Sequence, residues 1–145
     1  MNLDIVVSNL EKSKWECTRP GIYQDVDLDM VAKKRNGLLD FHLLVKQFDV
    51  FDAKALLVWQ NKFALMSQKS SPNWGRGGKT FLLFLAAKEM SADSLLLIKR
   101  SNSDFVGFSR NTYFHWVIVN DEENNMYWGK FDPFYKDATK ILFNA

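Results

Sequence analysis

A histidine and an aspartate near the C-terminus have the residue types and the spacing of a catalytic pair. His115 lies in the aromatic and β-branched run at residues 113–119, and Asp132 lies on the returning run at residues 126–133. If residues 122–125 form a four-residue hairpin loop, His115 faces Asp132 directly, with Cβ atoms about 4.5–5.5 Å apart. The carboxylate then fixes the imidazole tautomer and leaves the other ring nitrogen as a base. The alternative is a histidine at the edge of the core that Asp132 stabilises without any chemistry.

The nucleophile that such a pair would serve is Cys17, the single cysteine of the chain. A thiol within reach of an imidazole is the chemistry of cysteine hydrolases and acyltransferases. The turn-forming residues 18–21 follow Cys17, so no helix N-terminus is predicted to lower its pKa. A lone cysteine is also frequently a small buried apolar residue. One cysteine excludes an intrachain disulfide and a cysteine-based zinc cluster.

The order of these residues resembles papain-like cysteine peptidases, in particular the bacteriocin-processing domains attached to export transporters. In that family a strand opens with histidine and Asp-Pro follows a hairpin, as His115 and Asp132-Pro133 do here. The resemblance covers about residues 79–135. It implies a papain-like fold with Cys17, His115 and Asp132 as the catalytic residues. The chain departs from the family at Cys17, because no glutamine for the oxyanion hole precedes it.

A glycine-rich, basic segment in the middle of the chain is the second candidate site. Gly78-Lys79-Thr80 matches the end of a P-loop, whose backbone N–H groups hold phosphate at a helix start. Asn73 stands where the first P-loop glycine is required, and the strands expected further on are antiparallel, so the sequence does not predict an NTPase. We therefore expect only that Lys69, Arg76 and Lys79 bind an anion, a nucleic-acid backbone or a substrate.

Charge order and apolar spacing predict helices in the first two thirds of the chain. In the first of them three aspartates precede Lys33, Lys34 and Arg35, an order that complements the helix macrodipole. The third has aromatic residues at intervals of four, and the fourth is apolar nearly all round. The predicted helices cover residues 25–36, residues 38–48, a segment that starts near Asp49, and residues 80–90.

Towards the C-terminus the sequence pattern becomes typical of β-strands. Short β-branched or aromatic runs alternate with Asn, Ser, Asp and Gly. Helices followed by strands indicate an α+β fold, with N-terminal helices packed on a C-terminal antiparallel sheet in a single domain of residues 1–145. The predicted strands cover residues 94–99, 105–108, 112–120 and 126–131.

Composition and charge restrict the partners only in part. The net charge of +2 neither supplies nor excludes a local basic face. The apolar run at residues 81–87 is too short to cross a bilayer, and the first nine residues do not resemble a signal peptide. We therefore expect a cytoplasmic protein without a membrane partner, and the sequence predicts neither a cofactor nor a metal site.

Two functions stay open on the sequence, and whether the chain is an enzyme stays undecided. The first is a papain-like cysteine hydrolase, active or catalytically degenerate, that uses Cys17, His115 and Asp132. The second is a non-enzymatic binding or adaptor protein, of the kind that a phage or mobile element encodes. Its partner would be a protein, a peptide or a nucleic acid held by the basic segment and by exposed aromatic residues.

Overall fold

The structure is a computed structural model that describes residues 1–36, 39–69, 79–100, 106–109, 112–120 and 125–127. Within these residues the chain forms helices and strands in mixed order. They are α1 Leu3–Lys12, β1 Glu16–Thr18, β2 Gly21–Tyr23, β3 Val26–Leu28, β4 Met30–Asn36, β5 Leu39–Phe51, α2 Ala53–Lys69, β6 Lys79–Met90, α3 Ala92–Arg100, β7 Val106–Ser109, β8 Thr112–Asn120 and β9 Asn125–Tyr127.

Seven strands form one mixed sheet in the order β1-β4-β5-β6-β8-β7, with β9 also paired to β8. Strands β5, β6 and β8 are parallel neighbours, and the other pairs of this sheet are antiparallel. Strands β2 and β3 form a separate hairpin. The predicted α+β class is confirmed, but the sheet is mixed rather than antiparallel. Helices α2 and α3 lie in the crossovers that parallel neighbours require.

The centre of the sheet is buried on both faces. Leu44 and Leu83 belong to an apolar cluster that includes residues of α2 and α3. Leu43 and Val45 belong to a second cluster that includes residues of α1. Successive strand residues point to opposite faces, so β5 places neighbouring leucines in different clusters. A strand buried in this way appears in the sequence as a continuous apolar run.

The first two predicted helices are wrong, because residues 26–28, 30–36 and 39–51 are strands. The 3/4 spacing of Leu28, Val31 and Ala32 suggests one buried helical stripe, but Ala32 is buried in a different cluster from Leu28 and Val31, on the other face of the sheet. The basic run from Lys33 to Arg35 suggested the last turn of a helix. It is the end of strand β4, where Lys33 and Arg35 are exposed to solvent.

The helix predicted at residues 80–90 is also wrong, because this segment is strand β6. Residues 83–87 are all buried, in the middle of the sheet. A short apolar run is typical of a buried strand and of a buried helix alike, so periodicity does not separate the two. Since Lys79 and Thr80 begin a strand, no helix N-terminus stands there to bind an anion.

The strand predicted at residues 94–99 is instead part of helix α3. The side chain of Ser94 is completely buried, and its Oγ donates hydrogen bonds to the backbone oxygens of Ser91 at 2.8 Å and Phe51 at 3.2 Å. The Ser94 N–H is donated to Asp93 Oδ1 at 2.8 Å. Ser91 Oγ also accepts the Ser94 N–H at 3.3 Å, so Ser91 acts as the N-terminal cap of α3 after the end of β6.

The remaining predicted elements agree with the structure. Helix α2 is confirmed, and Asp52 rather than Asp49 caps it, because Asp52 Oδ1 accepts the N–H of Ala55 at 2.8 Å. Strands β7, β8 and β9 confirm the predicted strands within the described residues, whereas residue 105 and residues 128–131 of the predicted strands lie outside them. Helix α1 was not predicted, and Asn2 caps it by accepting the N–H of Asp4 at 2.9 Å.

Candidate anion-binding cleft

The two residues predicted to exchange a proton, Cys17 and His115, lie in one row of the sheet but on distant strands. Cys17 pairs with Ala32, Ala32 with Leu43, Leu43 with Leu82, and Leu82 with His115. Four strand spacings of about 4.8 Å put the two positions roughly 19 Å apart. Proton transfer needs the two atoms within about 3.2 Å. The structure therefore does not bring Cys17 and His115 together.

The hairpin that follows His115 has a register two residues away from the predicted one. Asn120 pairs with Asn125, and Ile118 pairs with Tyr127. A loop of residues 122–125 would instead have placed Asn120 opposite Tyr127. The loop therefore closes earlier than the sequence suggested.

The positions beside His115 in the sheet are both occupied. Leu82 of β6 is its neighbour on one side and Val106 of β7 is its neighbour on the other. A strand residue has two ladder neighbours, and strands β6 and β7 supply both of them for His115. The predicted partner Asp132 itself lies outside the described residues.

Cys17 has the surroundings of an inert thiol. It is half-buried on the edge strand β1 and packs against the apolar cluster that includes residues of α1. Burial raises the pKa of its thiol, the negative charge of Glu11 raises it further, and Arg19 lowers it. Because its neighbours on both sides are strand residues, no helix dipole counters the desolvation.

Two of the three predicted anion-binding residues bound the connection between α2 and β6. Lys69 is the last residue of α2, and Lys79 is the first residue of β6. Arg76 lies outside the described residues. Lys79 pairs with Asp40 in the parallel β5–β6 ladder. Lys79 therefore starts its strand at the end of the sheet where the β4–β5 hairpin turns.

A cleft of about 400 Å³ lies at this end of the sheet, on the side of β1. Strand β1 pairs with β4 only as far as Glu16 opposite Lys33, whereas β4 continues to Asn36. The cleft is thus a notch beside the outer part of the hairpin. Its lining consists of basic, acidic and aromatic side chains, namely Lys14, Glu16, Lys33, Lys34, Arg35, Asp40, Phe41 and His42.

The charge of this cleft is positive. Four of its eight lining residues are Lys or Arg and two are Asp or Glu, which gives a formal charge of +2 with His42 neutral. The whole chain has the same net charge of +2, so the formal charges outside the cleft lining sum to zero. Arg35 Nε lies 3.7 Å from Asp40 Oδ1, with 74% and 42% of the two side chains exposed. An exposed pair of this kind is weak, so Arg35 stays available to a ligand.

Aromatic rings lie on both faces of the sheet at the cleft. Lys34 pairs with Phe41 and Lys33 with His42, and adjacent strand residues point to opposite faces. Each face therefore carries one cation beside one ring. The two rings have aromatic neighbours at the back: Phe41 meets Trp15 at 6.2 Å in an edge-on contact, and His42 meets Tyr23 at 5.6 Å with the rings tilted by 58°.

The sequence contains one signal for this cleft. The run Lys33-Lys34-Arg35 is the most basic triplet among the described residues. In a helix this triplet would complement the macrodipole, whereas on strand β4 it distributes its charges over both faces of the hairpin. Lys14 and His42 become part of the site only through the fold.

Comparison of the chain with protein-family models, curated proteins and solved structures gave no match.

The described residues contain neither a candidate metal site nor a helix that could span a membrane. Among them no three His, Cys, Asp or Glu side chains are grouped so as to hold a metal ion. No helix in the same part of the chain has the length and apolar character to cross a membrane.

Proposed function

We propose that the protein is a non-enzymatic binding protein whose basic cleft holds the phosphate backbone of a nucleic acid. The observation that carries this proposal is the group Lys14, Lys33, Lys34 and Arg35 around one cleft. Cations of this kind displace the counterions of a phosphate chain, and this release drives binding without regard to sequence. Glu16 lines the same cleft and moderates its charge.

The papain-like alternative has less support. The Cys17 thiol has a raised pKa, whereas a cysteine nucleophile requires a lowered one. Its proton acceptor would have to be His115, four strands away. A binding role needs neither residue.

The salt dependence of binding tests the proposal. Neutralising four phosphates of a single strand gives a slope of log K against log salt of about −2.8. A fourfold rise in salt then lowers the affinity about 50-fold. We expect a fluorescein-labelled 20-nucleotide thymidine strand to follow this slope in anisotropy titrations at 50–200 mM KCl.

A matched pair of double variants locates the site. Lys34→Gln with Arg35→Gln removes two cleft charges, and the slope should fall to about −1.4. Lys54→Gln with Lys88→Gln removes the same charge at exposed positions outside the cleft lining, and the slope should stay unchanged. No binding at 50 mM KCl, or equal losses in both variants, overturns the proposal. Competition by polyglutamate as strong as that of the oligonucleotide points to an acidic protein instead and also overturns it.

A further inference from the structure

The geometry of the cleft points to a more specific ligand, and we infer that it takes an unpaired base of a single strand rather than a duplex. This inference rests on the proposed function. A volume of about 400 Å³ falls in the range of small-ligand sites, which runs from about 300 to 1,000 Å³. The cleft therefore has room for a nucleotide unit and not for a double helix.

The placement of rings and cations supports an unpaired base. Phe41 and His42 are half-buried and line the cleft, and each pairs across the ladder with a lysine. Phe41 contacts Trp15 edge-on and His42 contacts Tyr23 at a tilt, so neither of these two contacts is a parallel stack. A positive groove with aromatic side chains is the arrangement that binds single strands, because a base offers its face to a ring while its phosphates meet the cations.

A duplex fits this cleft poorly for two reasons. Its base faces are covered by their neighbours in the stack, so rings inside a concave notch do not reach them. Duplex binding also relies on many phosphate contacts, often 6–10 in proteins with a steep salt dependence. The cleft offers four basic side chains.

Three probes of one length and one label test the inference: a thymidine strand, its duplex with the complementary strand, and a base-free strand with the same number of phosphates. One stacked base contributes about 1–3 kcal/mol, which corresponds to about 5- to 150-fold in affinity. The thymidine strand should exceed the base-free strand by a factor in this range, and should also bind more tightly than the duplex.

Variants of the lining rings separate stacking from charge. Phe41→Leu keeps an apolar side chain but loses the ring, so affinity for the thymidine strand should fall at least fivefold while affinity for the base-free strand stays constant. His42→Gln supplies a second test if Phe41→Leu unfolds. Phe63→Leu, a half-buried ring on α2, is the control and should leave both affinities unchanged.

The outcomes distinguish this inference from the proposed function. Equal affinity for the thymidine and base-free strands, or tighter binding of the duplex, overturns the inference and leaves phosphate-backbone binding intact. Loss of binding to the base-free strand in Phe41→Leu also overturns it, since the ring would then only support the cleft. Failure of all three probes to bind overturns the proposed function itself.

Discussion

The carboxylate of Asp29 accepts the backbone N–H of Gln47 at 2.6 Å, where strand β4 no longer reaches. The first residue of β4 pairs with Val45, so Gln47 lies past the last pair of that ladder. Asp29 also donates its own N–H to the Val45 oxygen at 2.9 Å, and its carboxylate lies 3.9 Å from Lys46 Nζ. A side chain thus continues the hydrogen bonding of the sheet by one further residue.

Removing this carboxylate measures how much it stabilises the sheet. Asp29→Ala leaves the partly buried N–H of Gln47 without its acceptor, and we expect a loss of about 1–3 kcal/mol in the free energy of unfolding. Asp29→Asn keeps an oxygen acceptor and should lose less of the free energy of unfolding. Urea denaturation followed by circular dichroism measures both. Equal losses in the two variants would show that the charge near Lys46 matters and the hydrogen bond does not.

The close approach of β2 to β4 predicts that no side chain is tolerated at Gly21. A Cβ there would lie 2.5 Å from Val31 Cγ2 and 2.9 Å from the Val31 backbone nitrogen. The backbone atom has no rotamer that moves it away, so Gly21→Ala should destabilise the protein by about 1–3 kcal/mol. The neighbouring Ile22 is 70% exposed, and Ile22→Ala is the control in the same urea titration. A Gly21→Ala variant as stable as the control would refute the close approach.

The start of helix α2 can be tested with two aspartates that the sequence did not distinguish. Asp52→Ala removes the acceptor of the Ala55 N–H and should cost about 1 kcal/mol. The Asp49 side chain is 88% exposed and its Oδ1 lies 3.2 Å from Nζ of Lys88, whose side chain is 74% exposed, so Asp49→Ala should cost less than about 0.5 kcal/mol. Chemical denaturation of the two variants compares them directly. If Asp49→Ala lost more of the free energy of unfolding than Asp52→Ala, the helix would begin at Asp49, as the sequence suggested.

Alkylation of Cys17 should show an ordinary, protected thiol. Burial and the charge of Glu11 raise its pKa, so the reactive thiolate is scarce at neutral pH and forms only above the free-thiol value of about 8.5. The rate of iodoacetamide labelling between pH 6 and pH 10 measures this. His115→Ala should leave the profile unchanged, because His115 is four strands away. Rapid labelling near pH 7 that disappears in His115→Ala would restore the peptidase hypothesis.

The α+β class was predictable from composition and pattern, but the assignment of helix and strand was reversed in several segments. The cause is physical. Strands β5 and β6 are buried on both faces, so their residues do not alternate between apolar and polar, and local pattern favours neither structure. Helix α3 carried a readable signal, since Ser91, Asp93 and Ser94 offer several capping oxygens.

Only some residues of the candidate site were predictable from the sequence. Lys79 was identified as basic, and its strand begins at the end of the sheet where the cleft lies. The cleft itself joins Lys14 to the β4–β5 hairpin, and this proximity depends on where β1 stops pairing with β4. The length of an edge strand follows from tertiary packing, which a single sequence does not reveal.

The parallel pairs at the centre of the sheet also determine the order in which this chain can fold. Asp40 pairs with Lys79 and Lys79 with Thr112, so these ladders join residues 39 and 33 positions apart, whereas Asn36 and Leu39 pair only 3 positions apart. Contacts between distant residues require loop closure before they give any stabilisation, which slows the search for the native state. The β4–β5 hairpin closes over as short a separation as the β2–β3 and β7–β8 hairpins, so we expect it to form before β6 joins it. The hairpin that carries the cations of the cleft is thus expected to pair before the parallel centre of the sheet is complete.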